Sequence, residues 1–471
     1  MRPAPPGVEA DTPCRDVVAS MAAQSASCAI VVDSSQRPLG IVTEQDITRR
    51  IAFQAPPERD IGSVMTAPVT TIGAGDYLYQ AIGRMRKRGL RHMVVVEDDG
   101  ALAGMLDLHD ALAVAAERLM DRIDHLTHEG TLEGLRRIKA AQVELARELF
   151  ADNLPAPEIQ ALLSRINSGI YRRVVDARLA DMSAEGWGEP PVAFAVIVMG
   201  SGGRGENYLF PDQDNGFVLA DYADSDHGRI DAFFVELAER MCRDLDHVGF
   251  PYCQGYCMAT NPLWRKNLSQ WIAQIDLWGH KRNLVAIRLS DIFFDFQPAW
   301  GDRALAAELR RKVTAMVRAN SFFLQEMYRE SADHNVALGF FGHFITEKDK
   351  AEYKGQVNLK HTGTLPLVEA VRLLALREGV GETSTLGRIA ALYEIGVLDA
   401  NENEYLRSAF AQLTNILLRQ QIKDFKAGDR VSYYVDPDAL SKRARKVLVE
   451  SLEPIDDLRD KVRSEFTGEI F

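Results

Sequence analysis

Three observations predict a multidomain chain that joins α/β units to an all-α tail. The first 118 residues alternate short β-like runs with short helical patterns, and they do so twice. A buried apolar run at 192–199 feeds directly into a Gly-Ser turn followed by a spaced acid pair. From about Ala304 onward the apolar spacing is helical to the end. At 471 residues the chain exceeds what one hydrophobic core supports, so several domains are expected. With 46% hydrophobic and 26% charged residues, the composition is that of a folded globular protein.

The duplicated region comes first. One copy, about 8–62, contains Cys28-Ala-Ile-Val-Val-Asp and then Gly40-Ile-Val-Thr-Glu-Gln-Asp46, opening a helix. The other, about 63–118, contains Arg91-His-Met-Val-Val-Val-Glu and then Gly104-Met-Leu-Asp-Leu-His-Asp110. Val64-Met-Thr-Ala-Pro68 lies between them as an extended segment. Neither copy alone can bury its apolar face, so the two are expected to pack as a pair.

Residues 119–190 read as helical. Leu132, Leu135, Ile138, Val143, Leu145 and Leu149 recur at three- and four-residue steps, Pro155 and Pro157 interrupt, and Gly186 to Pro191 closes the stretch as a loop. The run Val192-Ala-Phe-Ala-Val-Ile-Val-Met199 then reads as a central strand buried on both faces. Beyond residue 304, segments such as Leu365–Leu376 and Tyr405–Leu418 predict a helical bundle.

The chemistry sits just after the central strand. Gly200-Ser-Gly-Gly-Arg-Gly-Glu206 is followed by Asp212-Gln-Asp-Asn215 and a second apolar run, Gly216–Ala220. Glycines let backbone N–H groups approach a triphosphate without a Cβ in the way. Ser201 adds a hydroxyl. Asp212 and Asp214, two apart in extended chain, present both carboxylates to one face. Such a pair is a hard-oxygen site for one or two Mg²⁺ ions that bridge phosphates.

Both parts resemble known families. The duplicated region is similar to a tandem CBS-domain pair, whose cleft binds adenine nucleotides (AMP, ADP or ATP). The resemblance implies that Thr43 meets phosphate, and that Asp46 and Asp110 accept from ribose hydroxyls. The second copy has Asp107 where the first has Thr43, so its site is expected to be empty or to prefer a nucleoside. The central stretch resembles the nucleotidyltransferase fold of DNA polymerase beta-like enzymes. It is similar to the uridylyltransferase of the nitrogen-regulatory PII protein, and to nucleotidyltransferases found behind CBS pairs. The pattern Gly-Ser-x-Gly-Arg-x-Glu with Asp-Gln-Asp-Asn, together with Met258-Ala-Thr-Asn-Pro-Leu-Trp-Arg265 and Ile292–Phe296, carries that resemblance. It covers nearly the whole chain. The implied architecture is a CBS pair at 1–118, transferase helices at 119–190, a polymerase-beta-like core at 191–303 and a helical substrate-binding bundle at 304–471.

By the same resemblance, Gly200, Ser201 and Gly203 hold nucleotide phosphates, and Asp212 and Asp214 bind metal. Arg204 is placed beside the nucleotide, though pairing with Glu206 would make it a brace of the loop. Active relatives use a third carboxylate on a later strand. The segment expected to form that strand, Phe250–Met258, contains no acid, which leaves Asp291 and Asp295 as downstream candidates. Asp295, flanked by aromatics, fits a buried structural carboxylate equally well. Lys360 and Arg372 match basic tail residues that contact nucleotide or acceptor; ordinary helix-surface charge is the alternative. Cys253 and Cys257 form a C-x-x-x-C pair without a second pair or nearby histidines, and read as buried thiols.

The implied function is transfer of a nucleoside monophosphate from an NTP to a protein or small-molecule acceptor, a PII-like protein among the candidates. Adenine nucleotide in the CBS pair would regulate it in bacterial signal transduction. The rival is a nucleotide-sensing adaptor with a degenerate core. The five cysteines are odd in number and scattered, and no apolar run approaches the ~18 residues needed to span a bilayer. A cytoplasmic protein is expected, with no signal peptide and no membrane contact. A net charge of −12, with 67 acids against 55 bases, argues against nucleic acid as partner. The CBS resemblance implies a homodimer.

Overall fold

The computed structural model describes residues 7–467 apart from 25, 52–54, 77, 98, 109–110, 112–130, 152–153, 281–290, 332–333 and 340–341. The chain forms two compact units, Met1–Thr127 and His128–Phe471.

In the first unit the two copies fold alike. Strands β1 (Gly7–Glu9), β2 (Cys28–Val32) and β3 (Pro38–Thr43) make one sheet, and β4 (Thr71–Gly73), β5 (His92–Val96) and β6 (Leu102–Asp107) make another in the same order. The outer pairings are parallel, β1 to β2 and β4 to β5; the inner ones are antiparallel hairpins. Cys28 pairs with Thr43 and His92 with Asp107, so Thr43 and Asp107 occupy the same register position in the two copies. Residues 28–32 are β-branched or small and buried throughout, as a strand covered on both faces requires. Helices α1 (Cys14–Ala23) and α2 (Leu78–Arg88) close the two cores, with Val17 and Met21 in the first and Ala81 and Met85 in the second.

The second unit is built on a four-stranded mixed sheet of order β10-β7-β8-β9, where β7 is Phe194–Val198, β8 Asn215–Leu219, β9 Arg265–Asn267 and β10 Gln297–Gly301. Both β7 and β8 are completely buried, in keeping with their continuous apolar runs. Helices α3 (Leu132–Ala151) and α4 (Ala156–Ala184) precede the sheet; Pro157 sits in the first turn of α4, where its missing N–H costs nothing. Helix α5 (His227–Val248) packs Phe233 and Phe234 into the same core. Helices α6 (Leu268–His280) and α7 (Arg303–Arg318) flank β10 in the chain, and α8 (Ser321–Ser331), α9 (Leu365–Glu378), α10 (Thr385–Glu394), α11 (Ala400–Ala427) and α12 (Lys442–Thr467) form the tail.

One element differs from expectation. Residues 250–258 do not form the next strand; they run as irregular chain, and the strand beside β8 is β9, starting at Arg265. Pro251, Gly255 and a left-handed Tyr256 (φ 54°) interrupt extended pairing there. Among the described residues, no helix is long and apolar enough to cross a membrane.

Candidate functional site

The antiparallel register of β7 and β8 places the end of one beside the start of the other, with Val198 opposite Asn215. The pairing extends one step further, as the Met199 N–H donates to the Asp214 carbonyl at 2.9 Å. The Gly200–Gly203 turn therefore starts beside the Asp214 side chain. A Cβ at Gly200 would lie 3.0 Å from Asp214 Oδ2, and its φ of 56° is one that glycine tolerates best. Gly203 answers a different need. A Cβ there would fall 1.5 Å from the Asp295 carbonyl oxygen, so this glycine permits a close backbone approach.

Asp212, Asp214, Ser201, Asn167 and Tyr171 line one cleft of about 340 Å³, counting its open mouth. Ser201 Oγ donates to Asn207 Oδ1 at 3.1 Å, and the Asn207 N–H donates to Ser164 Oγ on α4. Asp212 is exposed, whereas Asp214 is partly buried and its Oδ1 has no hydrogen-bond partner. Burial pushes the Asp214 carboxyl well above the ordinary range; Asp212 and Cys253 add to this, and Lys360 opposes it. An orphaned carboxylate oxygen beside a second carboxylate fits a hard divalent cation, which would supply what the protein does not. Lys360 and Ser201 line an adjoining pocket of about 320 Å³ with Arg204 and Glu206. The Lys360 ammonium stands 4.3 Å from the centre of the Tyr433 ring.

The structure does not bring Asp295 and Arg372 to that cleft. Asp295 is fully buried, and its carboxylate meets Arg204 at 2.7 Å, Arg388 at 2.7 Å and Arg372 at 2.8 Å. Burial alone would raise its pKa, but the three guanidiniums hold it well below the usual carboxylate range. Arg372 spans Asp295 and Asp291, donating also to the Asp291 carbonyl at 2.9 Å. Arg204 is a brace, bound to Glu206 at 2.7 Å as well as to Asp295. Glu206 in turn accepts from the Thr385 N–H at the start of α10 at 2.6 Å. This network ties the glycine turn to the tail, and Asp295 serves it as the shared counter-ion.

Among the described residues, two thiols rather than a third acid stand beside Asp214. Ligand atoms of Asp214, Cys253 and Cys257 all lie within 4.8 Å of one another. The C-x-x-x-C spacing was the only sequence signal of this. Behind the cleft, Lys139 is buried, hydrogen-bonded to Gln142 at 2.9 Å and the Leu209 carbonyl at 3.0 Å, and no periodicity singled it out.

In the first unit Thr43 and Asp46 form a reciprocal capping box: Thr43 Oγ1 donates to Asp46 Oδ2 at 2.8 Å, and the Thr43 N–H does so at 3.0 Å. Asp46 Oδ1 accepts from Thr66 and lies 3.6 Å from Arg50. Asp107 is buried against Arg91 and His92. The Asp107 carboxylate is thus held by side chains of β5 and its approach, at the register position that Thr43 takes in the first copy. Asp110 lies outside the described residues.

Family models match the chain in succession: "CBS domain" over residues 1–53 and 61–117, "Putative nucleotidyltransferase DUF294" over 140–284, and "Putative nucleotidyltransferase substrate binding domain" over 321–466. An uncharacterized protein of Methanopyrus kandleri is 30% identical over 87 residues, which is 18% of this chain and 44% of the relative. Another from Methanocaldococcus jannaschii is 32% identical over 106 residues, 22% of this chain and 25% of the relative. The chain thus spans less than half the length of either curated relative. Among solved structures, a Pyrobaculum aerophilum CBS domain protein complexed with AMP aligns at 27% identity and a TM-score of 0.22, covering 23% of this chain and 85% of that one. A "putative signal-transduction protein with CBS domains" from Burkholderia ambifaria aligns at 25% identity and a TM-score of 0.22, covering 23% of this chain and 81% of that one.

Proposed function

We propose that this chain, in which CBS domains precede a nucleotidyltransferase-type domain and its C-terminal substrate-binding domain, transfers a nucleoside monophosphate from an NTP to an acceptor. An acceptor hydroxyl oxygen forms a bond to the α-phosphorus, the bond from that phosphorus to the bridging oxygen breaks, pyrophosphate leaves, and the hydroxyl proton passes to solvent. The observation that carries the reading is one cleft lined by Ser201, Asp212 and Asp214, in which Asp214 Oδ1 is buried and has no donor. Asp212 and Asp214 would hold Mg²⁺, which when bound neutralises charge on the phosphates during displacement. The glycine turn leaves room for phosphate oxygens beside Asp214, and Ser201 offers its hydroxyl there. Lys360 supplies a cation from the tail side. Arg204, Glu206 and Asp295 act by holding the turn.

The acceptor is a protein or a small molecule; a PII-like protein follows from family resemblance. In the CBS pair, Thr43 and Asp46 lie at the helix start where AMP, ADP or ATP would present phosphate and ribose, and a homodimer through these pairs is part of the reading. Five unpaired thiols suit a cytoplasmic protein. The second reading, a nucleotide sensor without turnover, is favoured by one feature: β9, Arg265-Lys-Asn267, brings no acid beside β8.

The deciding assay is incubation with Mg²⁺ and each α-labelled NTP, alone and with cell lysate, comparing wild type with Asp212→Asn/Asp214→Asn. Label passing to a protein only with the wild type supports the transferase. Nucleotide binding that depends on Asp214, with no label transferred under any condition, sinks it in favour of the sensor.

A further inference from the structure

The C-x-x-x-C pair has a partner that its spacing did not reveal. The loop from Pro251 to Cys257 is clamped onto both neighbours of Asp214: the Gln213 N–H donates to the Pro251 carbonyl at 2.9 Å, and the Asn215 N–H to the Cys257 carbonyl at 2.9 Å. Gln213 Nε2 adds a bond to the Phe250 carbonyl at 2.8 Å. Inside this clamp the loop turns sharply, with the Tyr256 N–H bonded to the Cys253 carbonyl at 3.0 Å and Tyr256 itself left-handed at φ 54°. A non-glycine residue held in that region carries strain that surrounding contacts must offset, a common mark of a functional turn. Asn261 contributes by donating to the Tyr256 carbonyl at 3.1 Å. The result sets both sulfurs beside Gly255, where a Cβ would stand 3.6 Å from each.

We propose that Asp214, Cys253 and Cys257 form a binding site for a thiophilic divalent cation of the zinc class. The three ligand atoms, one carboxylate oxygen and two sulfurs, lie within 4.8 Å of one another. Around a tetrahedral ion with Zn–S near 2.3 Å and Zn–O near 2.1 Å, such atoms stand roughly 3.6–3.8 Å apart, so side-chain rotation of about 1 Å closes the site. One Asp214 carboxylate oxygen supplies the third ligand, and Oδ1 of that group is buried with no hydrogen-bond partner. The backbone clamp keeps the loop from paying an ordering cost on binding. Two thiolates with one carboxylate prefer zinc over Mg²⁺, a hard ion that takes oxygen ligands in octahedral geometry. Three protein ligands leave a fourth position open to water or a phosphate oxygen.

The site shares Asp214 with the Mg²⁺ site of the proposed transferase, and on that reading zinc and Mg²⁺ compete for one carboxylate. Micromolar zinc would then inhibit transfer. That consequence rests on the transferase reading, whereas binding itself does not.

The test uses the full chain, reduced and stripped of metal, titrated with Co²⁺ as a spectroscopic stand-in and then with Zn²⁺. One equivalent of Co²⁺ should give the near-ultraviolet thiolate-to-cobalt charge-transfer band and the visible bands of a tetrahedral ion. One equivalent of Zn²⁺ should bleach both, and millimolar Mg²⁺ should not. Cys253→Ser and Cys257→Ser should each weaken binding by at least ~100-fold, since even outer-shell partners of a metal ligand cost ~10–100-fold. Asp214→Asn should weaken it at least ~10-fold while keeping the thiolate band. Unfolding midpoints of the variants, matched to wild type, show that the fold is intact. Absence of the charge-transfer band from wild type, or its persistence in the Cys253→Ser/Cys257→Ser double variant, overturns the site. If cobalt binds as expected but no label is transferred in the NTP assay, the metal site stands and the transferase reading falls.

Discussion

Replacing Asp295 with asparagine tests the most consequential reassignment in the core. The substitution keeps side-chain size and removes one charge from a position with no solvent exposure. Three guanidiniums then lose their common counter-ion: Arg204 on the glycine turn, Arg372 on α9 and Arg388 on α10, each now 2.7–2.8 Å from the carboxylate. A fourth, Arg310 of α7, packs on the Phe296 ring 3.8 Å away and donates to the Phe294 carbonyl at 2.6 Å, so it cannot swing out to compensate. Removing one partner of a buried pair costs about 3–5 kcal/mol. The substituted side chain would still accept one hydrogen bond, but its amide turns donors toward the remaining arginines. The expected loss at pH 7 is therefore at least about 3 kcal/mol, read in urea unfolding as a lower midpoint with unchanged slope. The pH dependence carries a second signature. The Asp295 pKa is depressed in the folded state, so its contribution is full above an unfolded value near ~3.9 and fades as pH falls through the folded value. The gap between wild type and Asp295→Asn should therefore start to narrow only below about pH 4 and close as pH falls through the folded value. A variant that loses less than ~1 kcal/mol at pH 7 yet loses all transfer would refute this reasoning and return Asp295 to the chemistry.

Gly203→Ala should destabilise by about 3 kcal/mol or more, because its Cβ has no room against the Asp295 carbonyl; an unchanged thermal midpoint would show that this approach is looser than described. Gly200→Ala should cost about 1–2 kcal/mol for its left-handed φ, and it should lower transfer about 10-fold by crowding Asp214; intact activity would remove the glycine turn from the site. Burial lowers the Lys139 pKa to about 7, against ~10.4 unfolded. Between those values the unfolded chain holds more protons, so stability should rise by up to about 2 kcal/mol from pH 7 to 9. Lys139→Met should flatten that rise, and equal slopes in both proteins would mean that Lys139 stays charged when folded.

The amino-acid order by itself determined the elements whose cause is local. The two copies of strand, Gly-h-h-x-x-x-Asp and helix are visible because alternation and capping act over a few residues, and the Thr43–Asp46 box forms within one helical turn. Strands β7 and β8, the glycine turn between them and the Asp212/Asp214 spacing were legible for the same reason. What only the tertiary structure decided are the partners. Asp295 reads identically as catalytic or structural until Arg204, Arg372 and Arg388 arrive from distant segments to occupy it. The loop at 250–258 has apolar and aromatic content suited to a strand, yet Pro251, Gly255 and Tyr256 turn it, and its pairing with Gln213 and Asn215 brings two thiols against Asp214. Periodicity records which face of an element is buried. The charge or ligand waiting on the other side belongs to another part of the chain, and folding alone brings the two together.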